Sequence, residues 1–174
     1  HDWSAFPEKI EALFAGGASR GESVANALAL LADRAAADDW ILVHDAARPC
    51  IATRLVEQFL DEVGDDPVGG LLAMPLADTL KRAEDSMRVG ETIPREGLWR
   101  AQTPQMFRYG VLRRGLARTP GATDESQAVE ALTSARGLPA PRLVAGSAQN
   151  IKITFAQDLV LAAAILAAQE KGSG

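Results

Sequence analysis

The sequence places an aspartate and an arginine three positions apart, in the stretch WILVHDAARPC that runs from Trp40 to Cys50. Asp45 follows a short apolar run, and a carboxylate at the end of a strand is suited to bind Mg²⁺ together with phosphate oxygens. Arg48 precedes Pro49, which favours an extended backbone, and a guanidinium fixed there is suited to contact a phosphate through two hydrogen bonds. The residues alone leave an alternative open, in which Asp45 caps the next helix or pairs with Arg48.

Two further segments carry candidate binding groups. The stretch AGGASRGES, residues 15–23, is a glycine-containing turn into a helix N-terminus, where free N–H groups favour an anion or the polar edge of a nucleotide. Lys152 lies between two isoleucines in NIKIT, so a strand there would direct it to the opposite face from its neighbours. The simpler alternative for residues 15–23 is an ordinary capped loop. The simpler alternative for Lys152 is a lysine on the solvent face.

Three other polar residues have weaker patterns. Arg95 and Thr103 lie in PREGLWRAQTPQ, where packing by the neighbouring Leu and Trp is the alternative to a binding role. His44 has no companions at metal-ligand spacing, so we expect a hydrogen-bonded histidine at a strand end. Cys50 has no histidine partner nearby in the sequence, so the pattern does not support a thiol nucleophile.

The elements that position these residues alternate between helix and strand. Hydrophobic periodicity predicts helices over residues 7–15, 19–37, 53–63, 123–135 and 154–170, and strands over residues 40–44, 69–75, 142–146 and 150–154. Capping boxes are predicted at Ser19 with Glu22 and at Thr154 with Gln157. This order predicts an α/β fold with parallel strand pairing, helices on both faces of the sheet, and ligands at the carboxyl ends of the strands.

The segment over residues 76–103 interrupts that alternation. Polar and apolar residues alternate around a turn-like VGE, which predicts a β-hairpin arm that projects from the sheet. A hairpin of this size does not bury both of its faces alone. We therefore expect a second copy of the chain to cover it.

Length, charge and cysteine content limit the class of protein. The 174 residues suit one domain over residues 1–174, and the net charge of -5 argues against a nucleic-acid-binding protein. The longest apolar run, residues 159–168, is too short to span a membrane. No basic-then-apolar pattern opens the sequence, so we expect no secretory signal. One cysteine allows no internal disulfide, so we expect a cytoplasmic protein.

Six segments, in this order and spacing, resemble the 2-C-methyl-D-erythritol 4-phosphate cytidylyltransferase family: GGASRGESV, VHDAARPC, DTLKRA, REGLWRAQTPQMF, TDES and NIKIT. The resemblance implies a mostly parallel, Rossmann-like nucleotidyltransferase sheet flanked by helices, with a projecting β-hairpin arm that forms a homodimer. It also implies Mg²⁺ as cofactor and two substrates, CTP and a sugar-alcohol phosphate.

The resemblance assigns a role to each candidate residue. Arg95 and Lys152 would be catalytic, holding and orienting the attacking phosphate, and Asp45 would hold the Mg²⁺ that bridges the CTP phosphates. The nucleotide would contact Gly17, Ala18, Ser23, Asp45 and Ala46, whereas Arg48, Thr79 and Thr103 would line the pocket of the sugar-alcohol phosphate. Arm residues would reach into the partner's site.

Two departures from the family pattern bear on activity. Ala18 stands where many relatives carry an aspartate, so only backbone contact with the nucleotide is expected there. The family's first strand and its Gly/Ala-rich loop with Arg and Lys have no match in this sequence, and we expect further residues to precede His1 in the intact protein.

Two alternative functions stay open at this point. A cytidylyltransferase acting on ribitol 5-phosphate would share the HDA-RP turn and the lysine of the last predicted strand. A non-catalytic dimeric scaffold of the same fold would be consistent with the absent loop, although it would not need Asp45, Arg48, Arg95 and Lys152 together. An unrelated phosphate-binding α/β protein is a third, weaker alternative.

Overall fold

The computed structural model describes residues 10–172, with all side chains in that range except those at positions 134, 136 and 172. The described residues form five helices and six strands. In chain order these are α1 (Arg20–Leu30), β1 (Trp40–Val43), α2 (Thr53–Val63), β2 (Gly69–Pro75), β3 (Leu80–Ala83), β4 (Val89–Ile93), β5 (Trp99–Arg108), α3 (Tyr109–Arg118), α4 (Glu125–Arg136), β6 (Arg142–Ala145) and α5 (Asp158–Gly172). No helix among them is long and apolar enough to cross a membrane.

The chain divides into two compact units, and the first contains α1, β1, α3 and α4. Its core joins buried side chains of these helices to Phe107 near the end of β5. The Tyr109 hydroxyl donates a hydrogen bond to the Leu28 carbonyl at 3.0 Å and thereby ties α3 to α1. Gly69 has a φ of 121°, and a Cβ there would lie 2.1 Å from the Met106 carbonyl oxygen, so this position requires glycine.

The second unit contains α2, β3, β4, β6 and α5, with most of β2 and β5. Strands β5, β2 and β6 lie side by side in that order, and β2 pairs with β6 in parallel. The sheet as a whole is mixed. Strands β3 and β4 form a separate antiparallel pair, with Leu80 opposite Ile93. Phe59 and Val63 of α2 are fully buried, as their spacing of four residues predicts.

Several predicted elements agree closely with the structure. The bounds of α2 and β2 are those predicted, residues 53–63 and 69–75, and β1, β6 and α4 lie within a few residues of their predicted bounds. The Ser19 hydroxyl caps α1 by accepting from the Glu22 amide at 3.1 Å. The Glu22 carboxylate accepts from the Ala18 amide instead of the Ser19 amide, so the predicted capping box forms one residue out of register.

Other predictions at the element level are wrong. The predicted helix over residues 7–15 is absent over its described part, residues 10–15, where Phe14 is 93% exposed and gives the segment no apolar packing. Its opening at Pro7 lies outside the described residues. Strand β1 is only partly buried, although its continuous apolar run predicts a buried strand.

The region before α5 also differs from its prediction. NIKIT forms no strand, although the Ile153 amide donates to the Ala47 carbonyl at 2.8 Å. Helix α5 begins at Asp158, and the Asp158 carboxylate accepts from the amides of Thr154 and Phe155, both at 2.9 Å. The aspartate, rather than Gln157, therefore supplies the reaching-back half of the cap, since a carboxylate is the stronger acceptor.

Candidate active site

Asp45 and Lys152, two predicted site residues far apart in the sequence, form an ion pair in the second unit. The Lys152 Nζ lies 3.2 Å from the Asp45 Oδ2, and the Arg48 Nε lies 3.6 Å from the same oxygen. The Asp45 side chain is only 10% exposed, so its charge is partly removed from water and depends on these cations. Two cations around one carboxylate leave an excess of one positive charge, which favours an anionic ligand.

Arg48 is held in place by the backbone around it. Its amide donates to the Asp45 carbonyl at 2.9 Å, which closes the turn predicted before Pro49. Its Nη1 donates to the Asn150 carbonyl at 2.7 Å, and its side chain is 11% exposed. The guanidinium therefore joins the turn at residues 45–48 to the loop that carries Lys152. The pairing of Asp45 with Arg48, which the residues alone left open, is therefore present together with the Asp45–Lys152 pair.

Thr103 of β5 connects the strand to the same turn. The Asp45 amide donates to the Thr103 Oγ1 at 3.0 Å, and the His44 Nδ1 lies 3.0 Å from that hydroxyl. The His44 Nε2 lies 3.0 Å from the Arg48 carbonyl oxygen. His44 is thus hydrogen-bonded on both ring nitrogens, which agrees with the expectation for a histidine at a strand end.

Two buried amide side chains complete the arrangement, and sequence analysis did not identify either. Asn150 is fully buried, and its Nδ2 donates to the Thr103 carbonyl at 2.8 Å. The Gln102 Nε2 donates to the Ser147 carbonyl at 2.9 Å. Together they fix the loop before Lys152 against β5. The signal in the sequence is weak, because a polar residue beside a binding motif does not reveal that it is buried.

A cavity of about 330 Å³ opens beside the ion pair, large enough for a small phosphorylated ligand. Hydrogen bonds from the Phe155 and Thr154 amides lower the pKa of Asp158 at its wall, so this carboxylate stays charged at neutral pH. The lining consists of Arg48, Arg100, Ala101, Gln102, Ala148, Asn150, Ile151, Lys152, Asp158 and Leu161. Three of these side chains are cationic, and Arg100 was not among the predicted residues.

The predicted nucleotide loop belongs to the first unit and has a defined internal structure. The Gly17 amide donates to the Ser23 Oγ at 2.9 Å, and the Ala18 amide donates to the Glu22 carboxylate at 2.8 Å. Arg20, the first residue of α1, makes two hydrogen bonds to Glu125, at 2.6 and 2.9 Å. The amides of Gly17 and Ala18, which were predicted to contact a nucleotide, therefore donate to side chains within residues 15–23.

The three remaining predicted residues are exposed in the second unit. Thr79 lies directly before β3, Arg95 lies two residues after β4, and Ala46 lies within the turn that carries Asp45. Their assigned roles stay predictions.

The donor set around Asp45 bears on the predicted Mg²⁺. Among residues 10–172 there is no group of three or more His, Cys, Asp or Glu side chains suited to hold a metal. Mg²⁺ commonly binds one or two carboxylates together with substrate phosphates and water. A single carboxylate between two cations fits the ion only when phosphate oxygens supply further ligands, so the residues are compatible with a nucleotide-bound metal.

Comparison with known proteins agrees with the resemblance carried by the six segments. The family model for 2-C-methyl-D-erythritol 4-phosphate cytidylyltransferase matches residues 4–168. The chain is 52% identical to the protein of that name from Dechloromonas aromatica, over 98% of this chain and 72% of that protein. It is 56% identical to the one from Nitrosomonas eutropha, over 95% of this chain and 70% of that protein.

Solved structures give the same result. A 4-diphosphocytidyl-2C-methyl-D-erythritol synthase aligns with a TM-score of 0.78 and 44% identity, over 87% of this chain and 69% of that one. The Francisella tularensis 2-C-methyl-D-erythritol 4-phosphate cytidylyltransferase aligns with a TM-score of 0.76 and 34% identity, over 86% of this chain and 69% of that one. The chain therefore belongs to the 2-C-methyl-D-erythritol 4-phosphate cytidylyltransferase family.

Proposed function

We propose that the protein transfers CMP from CTP to 2-C-methyl-D-erythritol 4-phosphate and releases pyrophosphate, a step of non-mevalonate isoprenoid biosynthesis. It is a cytidylyltransferase by family. One observation carries the assignment to this site: Asp45, Arg48 and Lys152 converge beside a cavity with an excess of positive charge.

The reaction joins two phosphorylated molecules. A phosphate oxygen of the sugar alcohol attacks the α-phosphorus of CTP, a new P–O bond forms, and the bond to the departing pyrophosphate breaks. Such a transfer requires in-line positioning and neutralisation of negative charge more than covalent help from the protein. Cations at the wall of a cavity meet both requirements.

The individual roles are those that the family resemblance implies. Lys152 and Arg95 hold and orient the attacking phosphate, and Arg48, Thr79 and Thr103 line the pocket of the sugar alcohol. Lys152 is 48% exposed, which leaves its ammonium free to turn from Asp45 toward an arriving phosphate.

The family resemblance assigns the nucleotide to Asp45, Ala46, Gly17, Ala18 and Ser23. Asp45 would hold Mg²⁺, which when bound with the CTP phosphates neutralises their charge. The Ala18 side chain offers no polar group, so its contribution is limited to the backbone.

The assembly follows from the hairpin. Residues 76–103 would form a projecting arm of a single nucleotidyltransferase domain, of which residues 1–9 and 173–174 lie outside the described part. Met87 and Val89 on this hairpin are 87% and 64% exposed, which supports cover by a second copy in a homodimer.

The parallel pairing of β2 with β6 supports a mostly parallel sheet. The single cysteine supports a cytoplasmic location.

Turnover by the intact protein tests the function. Pyrophosphate release is measured with CTP, Mg²⁺ and either 2-C-methyl-D-erythritol 4-phosphate or ribitol 5-phosphate. We expect turnover with the first substrate, and preference for ribitol 5-phosphate would overturn the substrate assignment. Absence of turnover together with absence of CTP binding in calorimetry would favour the scaffold.

A further inference from the structure

His44 makes contacts to both ends of the turn that carries Asp45 and Arg48. Its Nε2 lies 3.0 Å from the Arg48 carbonyl oxygen, and its Nδ1 lies 3.0 Å from the Thr103 Oγ1. The same Thr103 oxygen accepts from the Asp45 amide at 3.0 Å. One half-buried ring therefore contacts Arg48 directly and Asp45 through a single hydroxyl.

The partners determine where the protons lie. A carbonyl oxygen only accepts hydrogen bonds, so the Nε2 that faces Arg48 carries a proton. In the neutral ring the Nδ1 is then an acceptor, and the Thr103 hydroxyl donates its hydrogen to it. The Thr103 oxygen meanwhile accepts from the Asp45 amide. The result is a directed chain of hydrogen bonds from Asp45 through Thr103 and His44 to Arg48.

We propose that His44 is a positioning residue, which fixes the Asp45–Arg48 turn against β5 and thereby sets the geometry of the two charged groups. The inference rests on the proposed function, in which Asp45 serves the nucleotide and Arg48 the sugar-alcohol phosphate. Both substrates are then aligned by groups that one imidazole holds.

The surroundings of the turn explain why the ring matters. Arg48 is also tied to the rest of the site through its guanidinium, which donates to the Asn150 carbonyl at 2.7 Å and to the Ala101 carbonyl at 3.5 Å. The guanidinium also lies beside Asp45, so it balances charge as well as holding the turn. His44 holds the backbone of the turn without using either charged group. Loss of the ring would leave the charges present and misplaced, which affects the reaction more than the binding of either substrate.

Substitution at His44 separates this role from a general effect on folding. The variants are His44→Ala, which removes both contacts, and His44→Gln, whose amide N–H is able to replace the donor at Nε2. Steady-state kcat and KM are measured for both substrates, with urea unfolding of each variant. We expect kcat to fall about 10–100-fold in His44→Ala, with KM values changed less than about threefold, and His44→Gln to recover most of the loss.

Tyr109→Phe is the matched control, because it removes one hydrogen bond to a backbone carbonyl in the first unit. We expect this variant to lose some stability, seen as a lower urea midpoint, and to keep its kcat. If His44→Ala loses kcat only in proportion to its lost folded fraction, as a purely structural residue would, the proposal is overturned.

A double-mutant cycle provides the second test and does not depend on His44→Ala folding well. Thr103→Val is combined with His44→Phe, which keeps a ring and removes both hydrogen bonds of the imidazole, and the fold-losses in kcat are compared. Because the two residues act through one chain of hydrogen bonds, we expect the double variant to lose clearly less than the product of the single losses. Losses that multiply would refute the chain. If the wild-type protein turns over neither sugar phosphate, the proposed function fails first, whereas an active wild type with fully active His44 variants refutes only the role of His44.

Discussion

The ion pair between Arg20 and Glu125 allows a quantitative test of how burial changes the worth of a charge pair. It joins the first residue of α1 to the first residue of α4 through two hydrogen bonds, at 2.6 and 2.9 Å. The Glu125 side chain is fully buried, and the Arg20 side chain is 31% exposed. Removing the arginine would leave a buried carboxylate without its cation, and substituting one partner of such a pair costs about 3–5 kcal/mol.

The partial exposure of Arg20 sets the expected cost within that range. Water reaches one side of the guanidinium, so we expect Arg20→Ala to lower the free energy of unfolding by about 3 kcal/mol, the lower end. For a chain of this size that loss corresponds to a decrease in Tm of roughly 6–12 °C. Arg20→Lys keeps the charge and loses the two-pronged geometry, so we expect an intermediate loss of about 1–2 kcal/mol.

A second pair in the same chain provides the control. Arg34 and Glu11 approach to 2.6 Å, the same distance as Arg20 and Glu125, but their side chains are 58% and 57% exposed. Solvent screens such a pair, so Arg34→Ala should change the free energy of unfolding by less than about 0.5 kcal/mol. The two variants remove the same side chain at the same closest distance, and the pairs differ in burial and in having two hydrogen bonds against one among the described residues.

Equilibrium urea unfolding of the intact protein, followed by circular dichroism, measures both losses. The midpoint and the slope are compared, since a changed slope would indicate a changed unfolded state rather than a lost interaction. Equal losses at Arg20 and Arg34 would refute the argument from burial. A double variant, Arg20→Ala with Glu125→Ala, should lose less than the sum of the single losses, because the second substitution removes the unpaired buried charge.

Three further predictions concern the site, a helix cap and two glycines. Asp45→Asn should lower kcat at least about 100-fold, measured by pyrophosphate release, because it removes a charge at the centre of the site. The pKa of Asp158 is lowered from 3.8 by backbone N–H groups, so its charge stabilises the fold above that value and this contribution is lost as pH falls through the folded pKa. The difference in Tm between wild type and Asp158→Asn should therefore shrink between pH 7 and about pH 3. Gly69→Ala should cost at least about 3 kcal/mol because its Cβ would overlap the backbone, whereas Gly137→Ala, with a φ of 65° and open space, should cost about 1 kcal/mol by urea unfolding.

The elements with a strong hydrophobic period were predictable from sequence. The observed bounds of helix α2 and strand β2 equal the predicted ones. In α2 the apolar residues repeat every four positions, in β2 they form a continuous run, and the structure buries the residues that each pattern indicates. Helix α3 was not predicted, since its sequence YGVLRRGLAR contains two glycines, which disfavour a helix interior. Burial of Tyr109, Leu112 and Leu116 against neighbouring helices outweighs that poor local propensity.

The candidate site likewise contains residues that the sequence indicated and residues that it did not. Residue type and position made Asp45, Arg48 and Lys152 candidates, and the family resemblance selected them over the simpler alternatives. The structure brings these three together. The sequence does not indicate Asn150, because its contribution depends on a carbonyl and an amide that meet groups from distant segments. Hydrogen bonds of that kind depend on the tertiary structure and have no local period.

The two cations of the site differ in a way that bears on how it would receive an anion. The Arg48 side chain is 11% exposed and bonded to the Asn150 carbonyl, so its position is determined by the fold. The Lys152 ammonium is 48% exposed, and an ion pair with that exposure contributes little to stability. A phosphate that enters the cavity would therefore draw Lys152 from Asp45 at small cost. Under the proposed function, the carboxylate would then be available to a nucleotide-bound metal. Arg48, whose position is determined by the fold, would keep Asp45 in place while Lys152 moves.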